Sequence, residues 1–123
     1  MSGYTVIDVE TTGLSPEKGD RIVEIGVVYV SDDGHLQDHW STLINPQRDV
    51  GPTRIHGITA SDVVSAPTFG DIAPYVLRAV TGRTVVAHNA SFDLRFLAAE
   101  LHRAGVPLQG LPLLRRGGLQ ALP

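Results

Sequence analysis

The chain contains no cysteine. Disulfides and thiolate metal sites are therefore excluded. No run of apolar residues approaches the length needed to span a bilayer. Positive charge is not in excess either. Ten Lys and Arg stand against thirteen Asp and Glu, for a net charge of −3, so there is no whole-chain nucleic-acid signature. Internal repeats and low-complexity linkers are absent. Acidic residues stop at Glu100, and neither His nor Tyr occurs after His102. Met1-Ser2-Gly3-Tyr4 leads almost directly into an apolar run, which leaves no room for a secretory leader and makes a cytoplasmic location the expectation.

What is present fits one globular domain: 123 residues, 42% hydrophobic, enough to bury a core. Charge is unevenly spread. Residues 1–80 hold five basic and eleven acidic side chains, whereas residues 81–123 hold five Arg against Asp93 and Glu100. Arg83, Arg95, Arg103, Arg115 and Arg116 either face phosphates or form an ordinary solvated surface. Residues 111–123 mix Pro, paired Arg, paired Gly and Leu without a clear period and read as an irregular tail following a domain at 1–110.

The strongest chemical signal is Asp8-Val9-Glu10-Thr11-Thr12-Gly13-Leu14, which follows the β-branched run Tyr4-Thr5-Val6-Ile7. In a strand, residues two apart share a face, so Asp8 and Glu10 project side by side. Adjacent carboxylates repel unless a cation or shared proton compensates, and hard oxygen ligands suit Mg²⁺ or Mn²⁺. Two solvated acids at a strand end are the plain alternative. Gly13 reads as a turn that lets a substrate backbone approach closely. A second segment answers the first. Thr84–Ala87 reads as a buried strand, His88-Asn89-Ala90-Ser91 as a turn, and a helix from about Ser91 carries Phe92, Asp93, Phe96, Leu97 and Leu101. Asp93 falls in the first helical turn, where the helix dipole alone favours a carboxylate. It is equally the third acid that a two-metal site needs.

The remaining elements follow from pattern. Ile22–Val30 reads as a long strand, Asp32-Asp33-Gly34 as a hairpin turn, and Leu36–Ile44 as the return strand, with Trp40 its largest candidate for burial. Tyr4–Val9 is placed beside this hairpin. Residues 47–58 read as irregular. Thr59 opens a short helix through its side-chain oxygen, and Pro67 breaks it. Thr68–Thr81 reads as the next helix, with a late start suggested by Pro74, which fits best in a first turn. The last helix closes at Gly105, with Pro107 beyond.

Together, Asp8-x-Glu10-Thr11-Thr12-Gly13 and His88-Asn89-Ala90-x-Phe92-Asp93 resemble the DnaQ-like, DEDD-type 3′–5′ exonucleases. Ile22-Val23-Glu24-Ile25-Gly26, Ile44-Asn45-Pro46 and Ile55-His56-Gly57-Ile58-Thr59 fall between them in family order. The resemblance implies an α/β fold, a ribonuclease H-like mixed sheet flanked by helices. It implies hydrolysis of 3′-terminal nucleotides by two-metal catalysis, with Mg²⁺ or Mn²⁺ held by Asp8, Glu10 and Asp93. It also implies that Thr11, Thr12, Gly13 and Leu14 line a terminal-nucleotide pocket, with Asn45, His56, Ile58 and Phe92 near the substrate and His88 and Asn89 shaping the rim. Single-stranded DNA or RNA 3′ ends and a DNA polymerase are the implied partners, and a second copy of the chain is expected from the apolar surface and strand edge that a missing C-terminal third would uncover.

The departure from the family lies in a third motif, a His or Tyr followed four or five residues later by Asp, which this sequence lacks. The resemblance therefore implies a C-terminally truncated fold and impaired catalysis. A non-catalytic nucleotide-binding module and a polymerase-associated interaction subunit are the alternatives. His102 is no substitute base, lying about 13 Å along the helix axis from Asp93 at 1.5 Å per residue. Glu24 is either a fourth carboxylate near the site or an acid hydrogen-bonded at a strand edge.

Overall fold

The computed structural model describes residues 3–106. The tail at 111–123, the end of the 1–110 domain, and Arg115 and Arg116 lie outside the described residues. Strand β1 (Tyr4–Thr11) is followed by a single 3-10 turn at Pro16–Lys18, then by β2 (Ile22–Val30) and β3 (Leu36–Leu43). Three helices come next, α1 (Thr53–His56), α2 (Ala60–Val63) and α3 (Phe69–Val80), then β4 (Thr84–Ala87) and α4 (Ala90–Arg103). The sheet order is β3-β2-β1-β4. β1 pairs antiparallel with β2 and parallel with β4, and β2 pairs antiparallel with β3. The mixed sheet with β1 beside the β2–β3 hairpin agrees with the sequence reading.

Alternation along β1 sorts its residues. Thr5, Ile7 and Val9 are buried and face α3 and α4. There they meet Phe69, Val76 and Val80 of α3 and Leu94, Phe96, Leu97 and Leu101 of α4. The Thr5 hydroxyl donates to the Ala79 carbonyl at 2.6 Å, satisfying the polar atom that this burial encloses. Tyr4, Val6, Asp8 and Glu10 project from the opposite face, as period two requires. Trp40 is half-buried against the same core, and its Nε1 approaches the Tyr29 hydroxyl at 3.4 Å. Val23, Val50, Ile58 and Val63 make a smaller second core beneath the 50–64 segment.

Two expectations change. The 47–58 segment is not wholly irregular, since it contains the one-turn helix α1, closed by Gly57 with φ +76°. And α3 does not start late at Pro74. Thr68 and Asp71 form a reciprocal capping box that sets the first turn at Phe69, so Pro74 sits inside the helix. Its missing N–H costs one intrahelical bond. Gly70, whose carbonyl loses that donor, is exposed and accessible to water.

Candidate active site

The parallel pair β1–β4 builds the site. β4 ends at Ala87, opposite Ile7, so β1 runs on past its neighbour and carries Asp8 and Glu10 beyond the last parallel rung. The chain leaving β4 turns through His88 and Asn89 and enters α4, with Asp93 in its first turn. Crevices at the carboxyl ends of such strands are where open α/β sheets take ligands.

Asp8 is exposed and lies across from Gly26, while Glu10 lies directly across from Glu24. Like charges opposite one another on a sheet are destabilising. Burial raises the Glu10 pKa, the charges of Asp8 and Glu24 add to the rise, and His56 opposes it. Asp8, Glu10 and Glu24, with Gly26 and Ser41, line a cavity of about 180 Å³. None of the hydrogen bonds among the described residues uses the Glu24 carboxylate. Of its two readings, the geometry carries the fourth carboxylate beside the acidic pair.

Asp93 is 3% exposed, and its Oδ2 has no hydrogen-bond partner. Its pKa is raised from 3.8 to about 7. Burial is the main cause, the Asp8 charge contributes next and Glu10 adds a smaller push, against lowering by the Asn89 backbone hydrogen bond and by His88. Asp93 therefore lies in the field of both Asp8 and Glu10. A buried carboxylate oxygen without a partner, in the field of two more carboxylates, is chemically the kind of hard oxygen donor that Mg²⁺ or Mn²⁺ prefers. Among the described residues, however, no three His, Asp or Glu side chains are grouped closely enough to hold a metal.

A second, larger cavity of about 390 Å³ adjoins Glu10. Val9, Thr11 and Gly13 form one side, and Leu14, Ile55 and Phe92 supply apolar surface, with Pro52 and His56 completing the wall. Leu14 and Ile55 are each 77% exposed. Thr12 is buried and turned away. Its hydroxyl donates to Asp20 Oδ1 at 2.8 Å and accepts from the Arg21 amide at 3.1 Å. Its part is to hold the turn. Gly13 answers to the same acid, because a Cβ there would sit 2.4 Å from Asp20 Oδ2. The glycine is needed for close approach, as expected, but a protein carboxylate is what approaches. Gly51 is equally constrained. Its φ is +81° and a Cβ would lie 2.1 Å from the Thr12 carbonyl oxygen.

The remaining candidates divide. Ile58 is buried in the second core, and it is Ile55, missed in the sequence, that lines the cavity. Both lie in the Ile55-His56-Gly57-Ile58 segment. α1 turns the first out and the second in, a choice that the spacing alone does not make. His56 accepts from the Ile58 amide at Nδ1, 3.0 Å, so Nε2 carries the proton and donates to the Val50 carbonyl at 2.8 Å. Asn45 Oδ1 accepts from the Gln47 amide and lines neither cavity. His88 and Asn89 are exposed and line neither cavity. Of the described arginines, Arg83 is spent on Tyr4 and Val30 carbonyls, Thr5 and Gln37.

Similarity to known proteins agrees with this geometry. The sequence matches the RNase T-type exonuclease family over residues 5–110. It is 38% identical over 113 residues to the 3′–5′ exonuclease DinG of Bacillus subtilis, covering 90% of this chain and 12% of DinG. The chain belongs to the DnaQ-like exonucleases. Another relative, the DNA polymerase III subunit epsilon of Rickettsia typhi, is 39% identical over 98 residues, covering 78% of this chain and 43% of epsilon. The chain thus spans less than half the length of either relative. The nuclease domain of 3′hExo, a DEDDh family member solved with rAMP, superposes with a TM-score of 0.70 at 19% identity, covering 89% of this chain and 63% of that one. The fold of this DnaQ-like chain is accordingly ribonuclease H-like. Asp8 and Glu10 lie on β1 and Asp93 on α4, and no acid follows Glu100 and no His or Tyr follows His102 in the sequence.

Proposed function

We propose that the chain is a 3′–5′ exonuclease acting on single-stranded DNA or RNA ends, with Asp8, Glu10 and Asp93 as ligands of Mg²⁺ or Mn²⁺. One observation carries this reading: the buried Asp93 carboxylate, its Oδ2 without a hydrogen-bond partner, feels the charges of Asp8 and Glu10, and Glu10 lines a nucleotide-sized cavity. Bound divalent cations would activate water and stabilise the leaving 3′ oxygen. The protein's own part is binding and orientation. Leu14 and Ile55 offer apolar surface to the terminal base, and Phe92 packs beside its sugar. Thr11 and Gly13 line the cavity that would take the nucleotide, and His88 and Asn89 border its entrance. His56 holds the 50–58 loop, with both ring nitrogens committed to backbone. Ile58 anchors that loop in the second core, and Asn45 holds the turn at Gln47.

No His or Tyr follows His102 to position the attacking water, and loss of a general base costs about 100- to 10,000-fold. The chain alone is therefore expected to degrade 3′ ends at least about 100-fold more slowly than a relative with all three motifs. The test is a 5′-labelled oligonucleotide with Mn²⁺, with chelator, and with Asp8→Ala. Slow laddering from the 3′ end that disappears in both controls supports the reading. Activity indifferent to chelator and to Asp8→Ala would sink it.

A second reading is a nucleotide-binding module without turnover, favoured by the lack of an assembled three-ligand group among the described residues. Tight nucleotide binding with no hydrolysis in Mn²⁺ selects it. The epsilon relative is named as a DNA polymerase III subunit, and we propose polymerase association for this chain as well, testable by co-purification with the polymerase of its own source. No described helix is long and apolar enough to cross a membrane. We propose a cytoplasmic location, which fractionation of source cells tests.

A further inference from the structure

We propose that Arg95 is a positioning residue for the terminal-nucleotide pocket and acts through Leu14; the inference rests on the exonuclease reading of that pocket. Leu14 is 77% exposed, so packing does little to place its side chain. Its backbone is held instead. Arg95 Nη2 donates to the Leu14 carbonyl at 3.2 Å. The same helix grips the following residues at two more points. Glu100 accepts from the Arg21 guanidinium at 2.7–3.0 Å and from the Ile22 amide at 2.9 Å, and Arg103 Nη2 donates to the Pro16 carbonyl at 3.0 Å.

The Arg95 bond is the one at the cavity. Phe92 precedes Arg95 by three positions, so the two share a face of α4. Phe92 and Leu14 both line the cavity. One wall thus stands on α4 and the other on the turn, and Arg95 ties the turn to the helix where the walls meet. α4 also carries Asp93, so the bond sets the pocket in register with the third acid. A direct contact between Arg95 and a substrate phosphate is the competing role, and the two roles separate experimentally.

Affinity for AMP or dTMP, whichever the wild type binds more tightly, is measured by calorimetry in Mn²⁺. The proteins compared are wild type, Arg95→Met, Leu14→Ala and the double variant. Met keeps an unbranched stem and good helix propensity. Arg95→Met is expected to weaken binding about three- to tenfold, the loss of one hydrogen bond of ordinary net strength. In the Leu14→Ala background the same change is expected to cost almost nothing, because interacting residues are non-additive. Methyl NMR of the ligand-free protein supplies an independent readout: the Leu14 methyl shifts move toward averaged values in Arg95→Met. Equal affinity of wild type and Arg95→Met overturns the proposal. So does an undiminished loss in the Leu14→Ala background, which assigns Arg95 to phosphate. If the wild type binds neither nucleotide while the Leu14 methyls still respond, the exonuclease reading of the pocket falls, and the functional role of Arg95 falls with it.

Discussion

Asp93 holds a proton in the folded chain at pH values where the unfolded chain has lost it. With the pKa raised from 3.8 to about 7, the native state binds more protons between those values. Stability without divalent cations therefore falls as pH rises from about 4 to about 7 and levels off above. Asp93→Asn removes that loss. The variant is expected to match wild type near pH 4 and to exceed it at pH 8 by on the order of 2–4 kcal/mol, since each pKa unit corresponds to 1.36 kcal/mol. Calorimetric Tm values at the two pH values, in chelator, test this. Equal differences at both would mean that Asp93 is not held protonated. The opposite trend is expected for cation binding, which needs the carboxylate ionised. The residue scale also shows where a correct rule finds an unexpected object. Close approach is required at Gly13, but the approaching group is Asp20, eight positions from Thr12 in a loop whose path no local pattern specifies.

Helix α4 is the element that joins stability to the site. Phe96, Leu97 and Leu101 are fully buried, so the helix docks firmly on the sheet. Glu100, 1% exposed, pairs with Arg21, 19% exposed, and takes the amide of the first residue of β2. Removing one partner of such a pair leaves a buried charge and costs about 3–5 kcal/mol. The cost should be asymmetric. Arg21→Met leaves Glu100 with the Ile22 amide and, as its only cation, Arg103 3.8 Å away, whereas Glu100→Gln leaves a partly solvated guanidinium and keeps a hydrogen-bonding side chain. Urea denaturation is expected to place Arg21→Met below Glu100→Gln by at least about 1 kcal/mol. The reverse order would mean that the pair is not what holds α4 to β2. The sequence anticipates α4 to within a residue at its start, because 3.6-residue periodicity and the turn before it are local signals. The Glu100–Arg21 contact spans 79 positions and has no such signature.

At the scale of the whole molecule, apolar surface among the described residues is limited. Phe92 is the one large apolar side chain of α4 left half-exposed. An apolar groove of about 370 Å³ remains on the sheet face opposite α3 and α4, with Val6, Val28 and Leu36 among its lining and Leu36 65% exposed. Contiguous exposed apolar surface favours association. We expect a concentration-dependent dimer that Leu36→Lys weakens, measurable by light scattering across a concentration series. A wild-type monomer at every concentration would refute it.

The sequence by itself determined the strands, the long helices, the hairpin turn and the family, because those rest on periodicity, turn chemistry and motif order within short windows. It also marked Asp8, Glu10 and Asp93, since period two and the start of a helix are local facts. Only the tertiary structure decided which neighbours these residues meet. It turned Thr12 inward and Ile55 outward, brought Glu24 across from Glu10, committed both nitrogens of His56 to the backbone, and tied Leu14 to Arg95. Each of those outcomes depends on strand register and on loop closure between segments far apart in the chain. The free energy that selects them comes from the packed whole and not from any stretch of residues read alone.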